Sequence, residues 1–75
     1  MNKIGIIGGG AWGTALAVAA RRTGRQVVIQ AREPEVAEAI NQSHRNPFFL
    51  PDVDLDPAIE ATTDPARAVA ADAVL

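Results

Sequence analysis

The glycines at positions 8, 10 and 13 have the spacing that points most directly to chemistry. They lie in the stretch GIIGGGAWGTALA, residues 5–17, and form the pattern G-x-G-x-x-G. Between a strand and a helix, this pattern allows a tight turn at Gly8, approach of backbone amides to an anion at Gly10, and close helix packing at Gly13. The free amides of the first helical turn and the positive end of the helix dipole favour a phosphate group there. The spacing therefore predicts a loop that binds the diphosphate of a dinucleotide.

Arg32 bears on which dinucleotide this loop would take. In the pattern, a residue about 20 positions after the glycines contacts the adenosine ribose, and it is an acid for NAD or an arginine for the 2′-phosphate of NADP. The stretch after the second predicted strand reads Ala31, Arg32, Glu33, so no acid stands at the strand end and a guanidinium follows it. These residues favour NADP(H). NAD(H) remains an alternative cofactor, because Glu33 could pair with Arg32 or repel a phosphate. The simpler alternative for Arg32 is an exposed loop arginine without a function.

Gly9 is a third glycine, which the pattern does not require, and we expect it to loosen the loop. The simpler alternative for the whole stretch is a glycine-rich turn that binds nothing. The order of strand, glycines, helix and second strand favours the dinucleotide interpretation over that alternative.

The elements that hold the glycines are predicted from apolar runs and turn residues. Lys3–Ile7 and Gln26–Gln30 are rich in isoleucine and valine, which is typical of buried parallel strands. Between them, Ala11–Thr23 is predicted as a helix that stops at Gly24. These elements form a β-α-β unit with a right-handed crossover.

The second half continues the alternation of helices and strands. Its predicted elements are a helix at Pro34–Gln42, a strand at Ile59–Thr62, a helix from Pro65 to about Ala71 capped by Thr63 or Asp64, and the opening of a fourth strand at Ala73–Leu75. Residues 43–57 hold three prolines and no sustained period, so they are predicted as an irregular loop. We therefore predict an α/β fold with a doubly wound parallel sheet of the Rossmann type, which is incomplete, with about three strands, three helices and a truncated fourth strand.

Composition excludes several classes of function. The 75 residues are 48% hydrophobic and 21% charged with a formal net charge of -2, which is typical of a globular chain without the basic stripe of a nucleic-acid-binding protein. The absence of cysteine excludes disulfides, thiolate catalysis and cysteine metal sites. No apolar run reaches the roughly 18 residues of a membrane-spanning helix. His44 lies in a polar loop and is expected to be solvated, so we predict no catalytic residue and no metal site in these residues.

Four stretches together resemble the N-terminal part of the NAD(P)-dependent glycerol-3-phosphate dehydrogenase family. They read IGGGAWGTALA, QAREPE, NPFFLP and ATTDPARAVAADAVL. The resemblance implies reduction of dihydroxyacetone phosphate to sn-glycerol 3-phosphate with NADH or NADPH, a cytoplasmic step that supplies phospholipid synthesis, usually in a homodimer. It also implies that the catalytic lysines and most contacts to the small phosphorylated substrate lie beyond residue 75, in later strands and a helical C-terminal domain. We therefore expect residues 1–75 alone to be the N-terminal part of a dinucleotide-binding domain and to be inactive.

The resemblance also places cofactor contacts outside the glycines. Ala11 and Trp12 would lie against the pyrophosphate, and Phe49 takes the place of a tyrosine that the family commonly has near the cofactor. Trp12 could instead be a core aromatic at the start of the helix, and Phe48 and Phe49 could anchor the loop to the core. The complete predicted cofactor-binding set is Gly8, Gly9, Gly10, Ala11, Trp12, Gly13, Arg32 and Phe49.

Two further functions stay open at this point. One is another oxidoreductase with the same glycine pattern, of the 3-hydroxyacyl-CoA dehydrogenase or ketopantoate reductase type. The other is a nucleotide-binding module without catalysis. The stretches AWGTALA and NPFFLP favour the glycerol-3-phosphate dehydrogenase interpretation over both.

Overall fold

A computed structural model describes residues 2–75 of the chain. Within them strands and helices alternate as β1 (Lys3–Ile7), α1 (Ala11–Arg22), β2 (Gln26–Gln30), α2 (Pro34–Ser43), β3 (Glu60–Thr62), α3 (Pro65–Val69) and β4 (Ala73–Val74). The strands form one parallel sheet in the order β3-β2-β1-β4. This is the strand order of the first half of a doubly wound sheet, in which the order reverses between β1 and β4. The predicted Rossmann-type α/β class is confirmed.

The centre of the sheet is the pair of β1 and β2. Their register runs from Lys3 opposite Gln26 to Ile7 opposite Gln30, and the paired side chains of Ile6 and Ile29 are almost fully buried. Both faces of these strands are covered, because side chains alternate between the faces and helices pack on each. The result is a rigid platform whose strands all end at the same edge.

The ends of the elements are set by local chemistry. Gly24 has φ +85° directly after the C-cap of α1, so it ends that helix as predicted. The Asp64 side chain accepts a hydrogen bond from the amide of Ala66 at 2.9 Å and is the N-cap of α3. The prediction that α3 reaches Ala71 is wrong by two residues. The chain leaves the helix after Val69, and the amide of Asp72 then donates to the Lys3 carbonyl at the start of β4.

Residues 44–59 form a connection that is more ordered than the sequence predicts. Asn46 pairs with Leu50 in a short antiparallel bridge, and Leu55 and Ile59 are buried in the core. At the far end of this connection the Arg21 and Asp56 side chains form an ion pair with an Nε to Oδ2 distance of 3.1 Å. The connection therefore contacts the last turn of α1 through this ion pair.

Candidate functional site

The turn between β1 and α1 has the shape that the glycine pattern predicts. Gly8 has φ +106°, a conformation that side-chain-bearing residues rarely adopt. A Cβ on Gly13 would overlap the carbonyl oxygen of Gly8, so α1 can approach the end of β1 only with glycine at this position. The predicted roles of Gly8 in the turn and Gly13 in packing are confirmed.

The start of α1 presents a row of open amides. The N-cap is Gly10, which has no side chain, and within residues 2–75 no side chain caps the helix and no acidic residue lies in its first turn. The backbone N–H groups of residues 9–13 donate to no acceptor in the part of the chain that the structure describes. A Cβ on Gly10 would have no atom within 4 Å, so the space next to it is open. Open amides, a helix N-terminus and free space are together suited to hold an anion.

Gly9 has a packing role that the sequence did not predict. It is buried, and a Cβ there would lie 2.7 Å from the Cβ of Ala31 and 3.4 Å from Cγ1 of Val36. Its carbonyl oxygen accepts a hydrogen bond from the Asn46 side chain at 2.7 Å. The expectation that Gly9 loosens the loop is wrong, because this glycine lets the loop pack tightly against the end of β2.

Arg32 lies at the same edge of the sheet as the glycine turn. The amide of Gly8 donates to the Gln30 carbonyl at 2.9 Å, which joins the turn to the end of β2 two residues before Arg32. Arg32 is exposed, and the ion pairs found in residues 2–75 involve other arginines, so Glu33 does not pair with it there. A guanidinium is thus available two residues beyond the strand end, on the side where the adenosine of a dinucleotide would lie.

Ala11 and Trp12 are both exposed at the first turn of α1. The side chain of Trp12 is 85% exposed. The alternative that Trp12 is a core aromatic is therefore wrong for residues 2–75, and its indole stands next to the open amides.

Phe48 and Phe49 are exposed as well, by 59% and 45%. Neither of them anchors the connection to the core; Asn46 and Leu55 do so, since they are 0% and 4% exposed. The amide of Phe49 donates to the Asn46 carbonyl at 3.3 Å. Phe49 thus lies in a turn that is attached to the glycine loop through Asn46.

Asn46 is the residue of this site that sequence reasoning missed. Its side-chain Nδ2 donates to the Gly9 carbonyl at 2.7 Å and to Oγ1 of Thr14 at 2.8 Å. Both Asn46 and Thr14 are fully buried. One signal was present in the sequence, namely a polar amide among the apolar and proline residues of NPFFLP. No sequence pattern indicated which residues this amide would contact.

His44 is not the solvated loop residue that was predicted. It is half-buried, has φ 56° at the end of α2, and its ring Nδ1 is buried without a hydrogen-bond partner among the described residues. In the same range, no three His, Cys, Asp or Glu side chains come together as metal ligands. No helix of residues 2–75 has the length and apolar character needed to cross a bilayer.

Known proteins match this chain over nearly all of its length. A sequence model described as the NAD-dependent glycerol-3-phosphate dehydrogenase N-terminus matches residues 3–75. A glycerol-3-phosphate dehydrogenase (NAD(P)+) of Paramagnetospirillum magneticum is 64% identical over 75 residues, which cover 100% of this chain and 27% of that relative. A protein of the same name from Rhodospirillum rubrum is 60% identical over 76 residues, or 100% of this chain and 22% of that protein. The crystal structure of glycerol-3-phosphate dehydrogenase from Coxiella burnetii superposes with a TM-score of 0.80 at 28% identity, covering 91% of this chain and 21% of the other. The chain thus spans between 22% and 27% of the length of these two curated relatives.

Proposed function

The chain belongs to the NAD-dependent glycerol-3-phosphate dehydrogenase family, and we propose that it forms the first part of the dinucleotide-binding domain of an enzyme with that activity. The enzyme would reduce dihydroxyacetone phosphate to sn-glycerol 3-phosphate by hydride transfer from a nicotinamide cofactor, a step that supplies glycerophospholipid synthesis. The observation that carries the proposal is the row of open amides at residues 9–13 at the start of α1. Family membership favours this oxidoreductase over the 3-hydroxyacyl-CoA dehydrogenase and ketopantoate reductase types.

The glycine loop supplies backbone donors for the cofactor's pyrophosphate. The residues present fit that group, because the amides are open and the position of Gly10 leaves free space in front of them. The positive end of the α1 dipole adds attraction for the two negative charges. The bound cofactor supplies the hydride, and residues 8–13 hold and orient it.

The side chains around this loop would form the rest of the cofactor site. Trp12 is exposed beside the amides and offers an apolar wall, and Phe49 offers a second aromatic face from the turn that Asn46 attaches to the loop. Ala11 contributes through its backbone N–H. Gly8, Gly9 and Gly13 give the loop its shape.

Arg32 would give the site its preference for NADPH over NADH. Its guanidinium is exposed, takes part in none of the ion pairs of the described residues, and follows the strand that ends beside Gly8. A charge-assisted, forked hydrogen bond to the 2′-phosphate of NADPH has no counterpart in NADH.

Titration of the full-length protein with NADPH and NADH tests both the binding and the preference. We expect Arg32→Ala to weaken NADPH binding about tenfold or more, which is the size of a charged hydrogen bond, and to leave NADH binding within about twofold. Arg22→Ala is the matched control, because Arg22 is also exposed but lies at the other end of α1. An unchanged ratio of the two affinities in Arg32→Ala would remove Arg32 from the site.

We further propose that the catalytic and substrate-phosphate contacts lie outside residues 1–75, in a helical substrate domain, and that the full-length protein is a cytoplasmic homodimer. This assignment is supported by the fraction of the relatives' length that the chain covers, which leaves most of each relative outside the matched residues. Turnover of dihydroxyacetone phosphate by the full-length protein, no turnover by residues 1–75, and a dimeric mass by light scattering are the expected results. A full-length protein that binds NADPH but turns over no substrate would favour the non-catalytic module instead.

A further inference from the structure

Asn46 connects two segments of the site that are far apart in the sequence. Its Nδ2 donates to the carbonyl of Gly9, 37 positions away, and to Oγ1 of Thr14, 32 positions away. A carbonyl oxygen can only accept, so the amide must turn its nitrogen toward Gly9. The orientation of the Asn46 side chain is therefore fixed by its partners.

Thr14 extends this contact by one more hydrogen bond. Its Oγ1 donates to the Gly10 carbonyl at 2.8 Å, and the same carbonyl accepts from the amide of Thr14 at 2.9 Å. A single buried asparagine thus restrains two consecutive carbonyls of the loop, that of Gly9 directly and that of Gly10 through the threonine hydroxyl. Both side chains are 0% exposed, so water does not compete for these bonds.

The restraint on these carbonyls sets the direction of the next amides. A trans peptide unit is planar, and its C=O and N–H point to opposite sides. Holding the Gly9 carbonyl toward Asn46 therefore directs the Gly10 N–H the other way, and holding the Gly10 carbonyl does the same for the Ala11 N–H. Neither of these two N–H groups has an acceptor within residues 2–75.

We propose that Asn46 is a positioning residue that presets the direction of the Gly10 and Ala11 amides for the cofactor's pyrophosphate, acting through the Gly9 carbonyl and the Thr14 hydroxyl. This inference rests on the proposed function. Donors that are aimed before the ligand arrives lose less conformational freedom on binding, and affinity rises accordingly. Asn46 itself does not touch the cofactor, because its side chain is fully buried.

Asn46 also holds the turn that carries Phe49 next to the glycine loop. Its carbonyl accepts from the amides of Leu50 at 2.8 Å and Phe49 at 3.3 Å and so closes the turn at residues 46–50. The turn that carries Phe49 and the loop that carries the open amides are thereby held by one residue.

The test is a titration of full-length variants with NADPH, which gives both a dissociation constant and the number of sites per chain. We expect Asn46→Leu and Thr14→Val to raise the dissociation constant about tenfold each with nearly one site per chain, and Thr14→Ser to bind like the unmodified protein because it keeps the hydroxyl. Asn41→Leu is the matched control. The Asn41 side-chain amide also makes two hydrogen bonds, at 2.9 and 2.8 Å, but both are to the backbone of Ala61 in β3.

The outcomes separate positioning from a merely structural role. A structural role lowers the number of sites per chain and leaves the dissociation constant of the remaining sites unchanged, and this result in Asn46→Leu and Thr14→Val would overturn the inference. If Asn46→Leu fails to fold, the Thr14→Val and Thr14→Ser pair decides alone. An unmodified protein that binds neither NADPH nor NADH would instead overturn the proposed function.

Discussion

The two ends of the sheet treat their backbone amides in opposite ways. At the amino end, the Asp72 carboxylate accepts hydrogen bonds from the amides of Asn2 and Lys3, both at 3.0 Å, and these bonds lower its pKa. At the carboxyl end, the amides of residues 9–13 have no acceptor among residues 2–75. One end carries its own anion, and the other leaves the place of an anion open.

This difference distinguishes the end of the sheet at which we propose that the cofactor binds. The first four N–H groups of a helix have no partner within it, so donors that no side chain caps are left for a ligand or for water. The buried hydrogen bonds of Asn46 hold these donors in place from behind. Substitutions at the carboxyl end should therefore change cofactor affinity, whereas substitutions at the amino end should change stability alone.

The largest effect is expected for Gly13→Ala at the carboxyl end. Its Cβ would overlap the Gly8 carbonyl oxygen, so α1 and β1 must move apart. We expect the free energy of unfolding to fall on the order of 3 kcal/mol, as for an overpacked core, together with loss of NADPH binding. Urea denaturation and titration of the full-length variant measure both effects. Unchanged stability would show that the loop can shift without cost.

Gly10→Ala should weaken NADPH binding without lowering stability, unlike Gly13→Ala. Gly10 has φ -75°, which alanine adopts readily, and its Cβ would meet no atom within 4 Å. We expect stability within about 0.5 kcal/mol of the unmodified protein and NADPH binding weakened about tenfold or more, because the added methyl group occupies the space before the open amides.

Gly24→Ala is the control for Gly10→Ala, because it lies at the opposite end of α1. At φ +85° an alanine is strained, so we expect a loss of about 1 kcal/mol in the free energy of unfolding with NADPH affinity unchanged. If Gly24→Ala weakened NADPH binding, or Gly10→Ala left it unaltered, the two ends would not be functionally distinct.

The smallest effect is expected for Asp72→Asn and appears as a change in pH dependence. The pKa of Asp72 is lower in the folded protein, mainly because its carboxylate accepts hydrogen bonds from the amides of Asn2 and Lys3. The ionised carboxylate therefore stabilises the fold at pH values above its unfolded pKa of about 3.9. That contribution disappears as the pH falls through the folded pKa. Denaturation midpoints of the two proteins should thus differ at neutral pH and converge below about pH 4. A difference that persists in acid would mean that the pairing does not depend on the charge.

The carboxyl end could be predicted from the sequence because its determinants are local. Gly8 and Gly13 act within five residues of each other, and a strand, a turn and a helix leave patterns that are read from neighbouring residues. Asn46 and Asp72 could not be predicted in this way, since their partners lie 32 to 37 and 69 to 70 positions away. Gly9 was misread for the same reason. Its environment is made by Ala31 and Val36 after the second strand.

The exposed indole of Trp12 gives this site an optical reporter of its own. It is the only tryptophan in residues 1–75, and it stands 85% exposed in the first turn of α1 beside the open amides. Its fluorescence therefore originates at the position where a dinucleotide would arrive, with no label attached. Quenching of this emission on addition of cofactor would report binding, and comparison with Trp12→Phe would isolate the contribution of Trp12 while keeping an aromatic ring.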